Sequence, residues 1–369
     1  MSSIDYSKHT TALLQKLQYP EFSPVLPFVT GWSQTLAGRY WPQFSEIPYD
    51  NAHELELPDG DRLMIMENRP VSWQQGDRIV VLIHGLTGCY QSRYMIRLCR
   101  LFMAEGWLVI RVNLRGCGPG AGMARNIYHS GRSEDSRAVL NWLAGMFPDS
   151  PTTLIGFSLG GNLSLKMAGE DGDSPSGNMD SLMAVSPPVN LALSCEILRE
   201  PRNQLFDQHF VAELREHVHQ LQQCFPDLPK TELPSYLTVY TFDDRYTAPR
   251  NGFHDALDYY QRSSSGPLLE KIRVPTLILC SMDDPVIHGE SMLEYLDIPG
   301  LDLVLTKHGG HVGFVGRSGH DSGFRWMDGL LLRWLQRHHA QCHQLKHSEW
   351  YCVSIPPWFK GVGGCNSDR

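Results

Sequence analysis

Ser158 lies in a pattern that could turn its hydroxyl group into a nucleophile. Residues 156–161 read Gly-Phe-Ser-Leu-Gly-Gly, with an apolar, β-branched run before them and a helix-forming segment after them. A strand, a tight turn flanked by glycines and a helix would expose this serine above the end of a sheet. The glycines allow a strained backbone at the turn, and the N-terminus of the helix favours developing negative charge. The pattern predicts attack by Ser158 on an acyl carbonyl.

An acid and a base that could activate Ser158 follow it in the chain. A serine hydroxyl is a weak nucleophile unless a general base takes its proton and an acid orients that base. Asp284 is the predicted acid, because it follows an apolar strand and the proline after it fixes the turn, and Asp283 is the alternative. His311 is the predicted base, because the two glycines before it give its loop freedom. His308 lies closer to the end of its strand, and we interpret it as a neighbour of the site.

Two backbone N–H groups are predicted to stabilise the oxyanion that forms during such an attack. One belongs to Leu159, which directly follows the nucleophile. The other belongs to Leu86, in the segment His-Gly-Leu-Thr-Gly that follows an apolar strand. Loss of one such donor costs about 3 kcal/mol of transition-state stabilisation. Each of these motifs is short enough to occur by chance in an unrelated sequence. Their order along the chain and their places at the ends of strands together favour a catalytic triad.

The elements that would position these residues alternate between strands and helices. The apolar run at 78–84 is typical of a strand that is buried on both faces, and further strands are predicted at 107–113 and 275–280. Helical patterns occur at 91–105 and 133–145. This alternation predicts an α/β fold with a mostly parallel central sheet and helices on both faces.

The alternation breaks between residues 190 and 270, where polar, helix-like segments dominate. We interpret this stretch as a helical cap inserted over the active site. Residues 1–50 are rich in aromatic side chains and proline, which is unusual for a disordered tail. The predicted organisation is therefore an N-terminal arm packed on the core (1–50), an α/β core (51–190 and 270–340), a helical cap (191–269) and a C-terminal tail (341–369).

Composition excludes several other classes of protein. The chain has 369 residues, 42% of them hydrophobic, which suits one large α/β domain with an insertion. Its net charge of −8 and its scattered basic residues argue against a nucleic-acid partner. Its nine cysteines form no Cys-x-x-Cys pair, so we expect free thiols in a reducing compartment. No apolar stretch reaches the ~20 residues that span a bilayer, so we expect a cytoplasmic protein without an integral membrane segment.

Two further patterns could suggest a metal ion or a nucleotide. His339, His343 and His347 recur every four residues, but no partner carboxylate is evident, so a solvated helix face is favoured over a metal site. The glycine-rich segment 115–120 lacks the Gly-x-x-x-x-Gly-Lys-Ser/Thr pattern of a phosphate-binding loop. We therefore expect no metal and no cofactor. Arg115 could hold an acidic group of a substrate, but an internal carboxylate is favoured as its partner.

Several motifs along the chain together form the pattern of one family. They are Gly-Trp-Ser-Gln-Thr (31–35), the oxyanion segment (84–88), Asn-Leu-Arg-Gly-Cys-Gly (113–118), the turn that carries Ser158 (156–162, the nucleophile elbow) and Gly-Gly-His-Val-Gly-Phe (309–314). This pattern resembles the YheT-type α/β-hydrolases, whose wider group includes the ABHD1/ABHD3-like serine esterases. The resemblance implies an α/β-hydrolase fold, with Ser158, Asp284 and His311 as charge-relay residues. It also implies hydrolysis of carboxylic esters or acyl transfer.

The sequence therefore predicts a serine carboxylic-ester hydrolase. It would act on small-molecule esters with short- to medium-chain acyl groups, through an acyl-enzyme intermediate. Two alternatives stay open: an alcohol acyltransferase that uses the same acyl-enzyme, and a catalytically silent binding protein on a hydrolase scaffold. The sequence indicates neither the physiological alcohol group nor the oligomeric state.

Overall fold

The structure of the protein, a computed structural model, is built around an eight-stranded β-sheet. It describes residues 5–40, 46–317 and 323–351, with side chains described as far as residue 339. The strands are β1 (Asn51–Glu56), β2 (Arg62–Asn68), β3 (Ile79–Ile83), β4 (Leu108–Val112), β5 (Thr152–Phe157), β6 (Met179–Val185), β7 (Thr276–Ser281) and β8 (Leu301–Thr306). Their order across the sheet is β1-β2-β4-β3-β5-β6-β7-β8.

Helices precede, connect and follow these strands. The first are α1 (Tyr6–Leu17), α2 (Gly31–Tyr40), α3 (Arg93–Ala104), α4 (Ser133–Met146) and α5 (Leu159–Asp171). Between β6 and β7 lie α6 (Leu191–Leu198), α7 (Gln204–Cys224), α8 (Val239–Phe242), α9 (Ala248–Arg250) and α10 (Ala256–Ser263). A π-helical turn, Asp243–Thr247, joins α8 to α9. The helix α11 (Trp326–Tyr351) follows β8.

Most strand pairs of the sheet are parallel. β1 and β2 form an antiparallel hairpin, and β2 pairs antiparallel with β4. From β4 through β3, β5, β6 and β7 to β8, every neighbouring pair is parallel. The carboxyl ends of these parallel strands therefore meet at one edge, where α/β proteins build their sites. The predicted α/β-hydrolase fold with its mostly parallel sheet is confirmed.

Successive side chains of each strand point alternately into two hydrophobic layers, one on each face of the sheet. In β3, Val80 and Leu82 point into the layer that contains residues of α1, α3 and α11. The other side chains of β3 point into the layer that contains residues of α4 and α5. Because both faces are covered, every residue of β3 is buried, which explains why its sequence is continuously apolar.

The five helices α6 to α10 form the cap, since they all lie between two neighbouring strands of the sheet. Contacts between α7 and α8, and between α10 and α6, hold the cap together. The predicted borders of arm, core, cap and tail stay predictions. The predicted tail, 341–369, begins inside α11, and its residues beyond Tyr351 lie outside the described part of the chain.

The described cysteines are free thiols, namely Cys89, Cys99, Cys117, Cys195, Cys224 and Cys280. In the part of the chain that the structure describes, no helix is both long enough and apolar enough to cross a membrane. The same described residues contain no group of three or more metal-ligating side chains. The side chains of His343 and His347 lie outside the described residues, so the interpretation of that helix face stays a prediction.

A buried ion cluster ties the β1–β2 turn to α4. The guanidinium of Arg115 donates two hydrogen bonds to Asp135, at 2.8 and 2.6 Å, and further bonds to Asp61 at 2.6 Å and Asp59 at 2.5 Å. The Arg115 side chain is 2% exposed. Arg115 thus has internal carboxylate partners, as its position in a tight loop led us to expect.

Truncation of this guanidinium tests how much the cluster contributes to stability. Arg115→Ala should lower the free energy of unfolding by about 3–5 kcal/mol, because it leaves buried carboxylates without their cation. Arg62→Ala is the matched control, since Arg62 forms an ion pair with Glu54 that is about half exposed. That variant should change stability by less than about 1 kcal/mol. Urea denaturation measures both variants, and equal decreases in the free energy of unfolding would contradict a stabilising role of the Arg115 cluster.

Candidate active site

Ser158 forms a sharp turn between β5 and α5. Its backbone is in a strained region, with φ 50° and ψ −120°. A Cβ atom on Gly156 would lie 2.3 Å from the carbonyl oxygen of Gly160. A Cβ atom on Gly160 would lie 2.5 Å from the carbonyl oxygen of His84. The glycines two positions before and after the serine are therefore required by close backbone packing, and the turn leaves the serine hydroxyl at the sheet edge.

Ser158, His311 and Asp284 are brought together by the fold. The Nε2 atom of His311 lies 2.8 Å from the Oγ atom of Ser158, and its Nδ1 atom lies 2.9 Å from Oδ2 of Asp284. The backbone N–H groups of Val286 and Ile287 donate to Oδ1 of Asp284, at 2.8 and 3.1 Å. The Asp284 side chain is fully buried. A carboxylate that accepts the Nδ1–H leaves Nε2 free to accept the proton of the serine hydroxyl.

Asp283 and His308 form a second, separate pair. The Nδ1 atom of His308 lies 3.0 Å from Oδ2 of Asp283. Oδ1 of Asp283 accepts hydrogen bonds from the N–H of Gly310 at 3.0 Å and from the hydroxyl of Ser281 at 3.1 Å. The carboxylate of Asp283 therefore holds the loop that leads to His311 and has no hydrogen bond to the imidazole of that residue.

The N–H groups of Leu86 and Leu159 are available beside Ser158. Both residues line the same cavity as Ser158. Leu159 begins α5, so its N–H has no acceptor within the helix. Among the described residues, the N–H of Leu86 makes no hydrogen bond, whereas those of its neighbours Gly85 and Thr87 each donate at 3.0 Å to a tyrosine hydroxyl. The loop thus leaves the predicted donor free and uses the N–H groups on either side of it.

His84 holds the oxyanion loop in place as a neutral group, a role that the sequence did not reveal. Its Nδ1–H donates to the carbonyl oxygen of Gly85 at 2.8 Å, and its Nε2 accepts from the N–H of Leu114 at 3.1 Å. Burial lowers the pKa of His84 to about 4, so the ring stays neutral near pH 7. Both ring nitrogens are therefore used to join the loop after β3 to the end of β4.

The N-terminal helix α2 fixes the loop that carries His311. The N–H of His311 donates to Oγ1 of Thr35 at 2.8 Å. The side-chain amide of Gln34 donates to the carbonyl oxygen of Val315 at 2.9 Å and accepts from its N–H at 2.7 Å. A Cβ atom on Gly38 would lie 2.8 Å from Cα of Gly313, so the helix and the loop are in close contact.

The roles of Thr35 and Gln34 were not predicted from sequence, because residues 1–50 were interpreted only as an arm packed on the core. The available signal was the pair Gly31 and Gly38, which lie seven residues apart and therefore on one side of α2. Small residues at such a spacing indicate a helix that another backbone approaches closely. They do not indicate which segment approaches it.

An apolar cavity opens beside Ser158. Besides Ser158, the core contributes Leu86, Leu159, Tyr128 and His129. The cap adds a group of apolar side chains to the wall, namely Leu191, Leu198, Phe210, Leu214, Val218, Val239 and Phe242. Burial lowers the pKa of His129 to about 3, so this histidine is a neutral wall residue and a poor proton acceptor.

Comparison with known proteins identifies the family of the chain. The family model of the α/β-hydrolase fold matches residues 78–317. YheT of Escherichia coli (strain K12) is 34% identical over 303 residues, which cover 80% of this chain and 87% of YheT. The chain belongs to the α/β-hydrolase family, as a YheT-like member. This enzyme is therefore a hydrolase of the esterase and lipase type.

More distant relatives of this α/β-hydrolase agree with the assignment. A monoacylglycerol lipase of Saccharomyces cerevisiae (strain ATCC 204508 / S288c) is 28% identical over 77% of the chain and 63% of that protein. Among solved structures, a 2,6-dihydroxy-pseudo-oxynicotine hydrolase superposes with a TM-score of 0.52 at 18% identity, over 77% of this chain and 66% of that chain. At this level of identity, the structural likeness supports the fold alone.

Thr35 provides a test of the contact between α2 and the His311 loop. Thr35→Val keeps the shape of the side chain but removes the acceptor for the His311 N–H, so kcat should fall by up to about tenfold. KM should change less than kcat, because Thr35 does not line the cavity. Thr35→Ser keeps the hydroxyl and should retain most of the activity. Esterase kinetics with p-nitrophenyl butyrate measure both variants, and equal losses would attribute the effect to packing of the methyl group.

Proposed function

We propose that this α/β-hydrolase is a serine carboxylic-ester hydrolase that acts on short- to medium-chain acyl esters through an acyl-enzyme on Ser158. One observation carries the proposal: the unbroken hydrogen-bond chain from Ser158 through His311 to Asp284, at 2.8 and 2.9 Å, which lies at the wall of an apolar cavity. A buried chain of this kind in a pocket is the arrangement that activates a serine hydroxyl near pH 7.

In the first step, the hydroxyl oxygen of Ser158 attacks the carbonyl carbon of the ester. His311 takes the hydroxyl proton at Nε2, and the resulting imidazolium is stabilised by the carboxylate of Asp284 at Nδ1. Because the backbone N–H groups of Val286 and Ile287 already donate to Oδ1 of Asp284, this carboxylate is held in place while its Oδ2 orients the ring of His311. His311 then gives the proton to the leaving alcohol, and the acyl-enzyme forms.

The negative charge on the carbonyl oxygen is stabilised by the N–H groups of Leu86 and Leu159. Both donors are backbone groups held by the fold, so they need little reorganisation when the charge develops. The N-terminus of α5 contributes further, because its dipole favours negative charge beside Ser158. A water molecule that loses its proton to His311 then attacks the acyl-enzyme, and the carboxylic acid is released.

The preference for acyl chains rests on the composition of the cavity wall. The cap contributes leucine, valine and phenylalanine side chains to the wall of the cavity that contains Ser158. Burial of a hydrocarbon chain against such a wall contributes about 0.8 kcal/mol for each methylene group. The name of the yeast relative, a monoacylglycerol lipase, also supports a substrate with an acyl chain.

Removal of the nucleophile tests the proposed reaction directly. Ser158→Ala should lower the turnover of p-nitrophenyl butyrate by about 10⁴-fold or more, because no other hydroxyl can form the acyl-enzyme. A fluorophosphonate probe should label the wild-type protein and not the variant. Turnover at the wild-type rate in Ser158→Ala would exclude this mechanism, and a wild-type protein that neither turns over esters nor reacts with the probe would be a non-catalytic binding protein.

The two neighbouring aspartates should differ sharply in their effect on the reaction. Asp284→Asn should lower kcat by about 10³- to 10⁴-fold, because the amide stabilises the wrong tautomer of His311 and cannot stabilise the imidazolium. Asp283→Asn should cost about tenfold or less, since an amide oxygen can still accept the N–H of Gly310. Each variant serves as the control for the other in steady-state kinetics. A larger loss in Asp283→Asn would reverse the assignment of the acid.

A further inference from the structure

The cavity beside Ser158 has a polar region on its cap side. Its wall there includes the side chains of Asp243, Thr247 and Tyr260, which come from the π-helical turn and from α10. Asp243 is only 9% exposed. A carboxyl group at the wall of an otherwise apolar cavity is unusual, because burial of a charge is costly unless a partner stabilises it.

The protein itself supplies only neutral partners to Asp243. The hydroxyl of Tyr260 donates to Oδ2 of Asp243 at 2.8 Å, and the hydroxyl of Thr247 also hydrogen-bonds to the carboxyl group. Among the described residues, Asp243 forms no ion pair. Burial raises the pKa of Asp243 to about 6, which agrees with a carboxyl group that lacks a cationic neighbour.

Asp207 shows how the same cap satisfies a carboxylate that has a structural role. Asp207 is 2% exposed, accepts the N–H of Val239 at 2.8 Å and contacts Gln208 at 3.2 Å. It does not line the cavity, and its hydrogen bonds join α7 to the start of α8. Asp243, in contrast, lies at the surface that a substrate would touch. A place at the cavity wall therefore distinguishes Asp243 from Asp207.

A hydroxyl group is the ligand chemistry that fits this region. A carboxylate has room for several hydrogen bonds, so a hydroxyl group of the ligand can donate one to Asp243 beside the bond from the Tyr260 hydroxyl. A hydroxyl is also far less costly to bring out of water into an apolar cavity than an ammonium group is. The apolar walls of leucine, valine and phenylalanine would accommodate the hydrocarbon that carries it.

We infer that Asp243 binds a hydroxyl group on the acyl chain, so that the preferred substrates are esters of hydroxylated carboxylic acids. The inference rests on the proposed function, because it takes the cavity to hold the acyl half of the ester. Asp243 takes no part in the bond-making steps. It selects the substrate through a charge-assisted hydrogen bond, and a plain acyl chain leaves the buried carboxyl without this donor.

The test compares p-nitrophenyl esters of one chain length, with a hydroxyl group at successive carbons or with none. At the best position, the hydroxyl should raise kcat/KM of the wild-type protein by about ten- to a hundredfold, as expected for a hydrogen bond to a charged group. Asp243→Asn should reduce this preference, and Asp243→Leu should reverse it in favour of the plain ester. Asp207→Asn is the matched control and should keep the preference, since that carboxylate does not face the cavity.

Three outcomes would overturn the inference while leaving the proposed function intact. The first is Ser158-dependent turnover of the plain esters with no preference for any hydroxylated chain. The second is a preference that survives Asp243→Leu in a protein whose thermal unfolding is unchanged. A matched pair of ethyl and 2-hydroxyethyl esters places the hydroxyl on the alcohol half instead, and a preference found only there would also contradict binding on the acyl side. Loss of all ester turnover in the wild-type protein would reject the proposed function itself.

Discussion

The hydrogen bond between Ser158 and His311 is the contact that most of the fold serves to hold. The two residues are 153 positions apart in sequence, and they follow β5 and β8, which are separated by two strands in the sheet. Three strand spacings amount to about 14 Å, so the loop after β8 has to reach back across the sheet edge. The Ser186 hydroxyl, after β6, supports this loop by accepting the Val312 N–H at 3.2 Å. Asp284, in the loop after β7, contacts the Nδ1 atom of His311 through Oδ2.

The loop that carries His311 is also held by α2, which lies outside the sheet. This helix therefore belongs to the site although it is distant from His311 in sequence. The Thr35 hydroxyl accepts the N–H of His311, and the closely packed glycines of α2 let that helix approach. The carboxylate of Asp283 ties the same loop at Gly310 and His308. Several hydrogen bonds, each of which contributes modestly to stability, therefore hold the loop of His311 so that its imidazole contacts Ser158.

The sequence predicted those parts of the site that local patterns determine. The elbow, the oxyanion segment and the order of acid and base are short motifs at strand ends, and the sheet brings such ends together whatever its other details. The choice between Asp284 and Asp283 could not be derived, because both follow the same strand and only the backbone after β7 decides which carboxylate faces His311. Thr35 was missed because its contact spans 276 positions, and no local pattern encodes such a partner.

The cap is the part of the molecule that can vary substrate choice without disturbing the chemistry. Asn162, one turn after Ser158 in α5, donates to the carbonyl oxygens of Ser130 at 2.9 Å and Ser263 at 2.8 Å, and accepts from the N–H of Ser265 at 3.0 Å. This fully buried amide fixes the end of α10 relative to the nucleophile. Tyr260, in the same helix, holds the carboxyl of Asp243. Hydrogen bonds thus set the separation between the Ser158 hydroxyl and the polar region around Asp243, and a substrate of the proposed kind would have to match that separation in both chain length and position of its hydroxyl group.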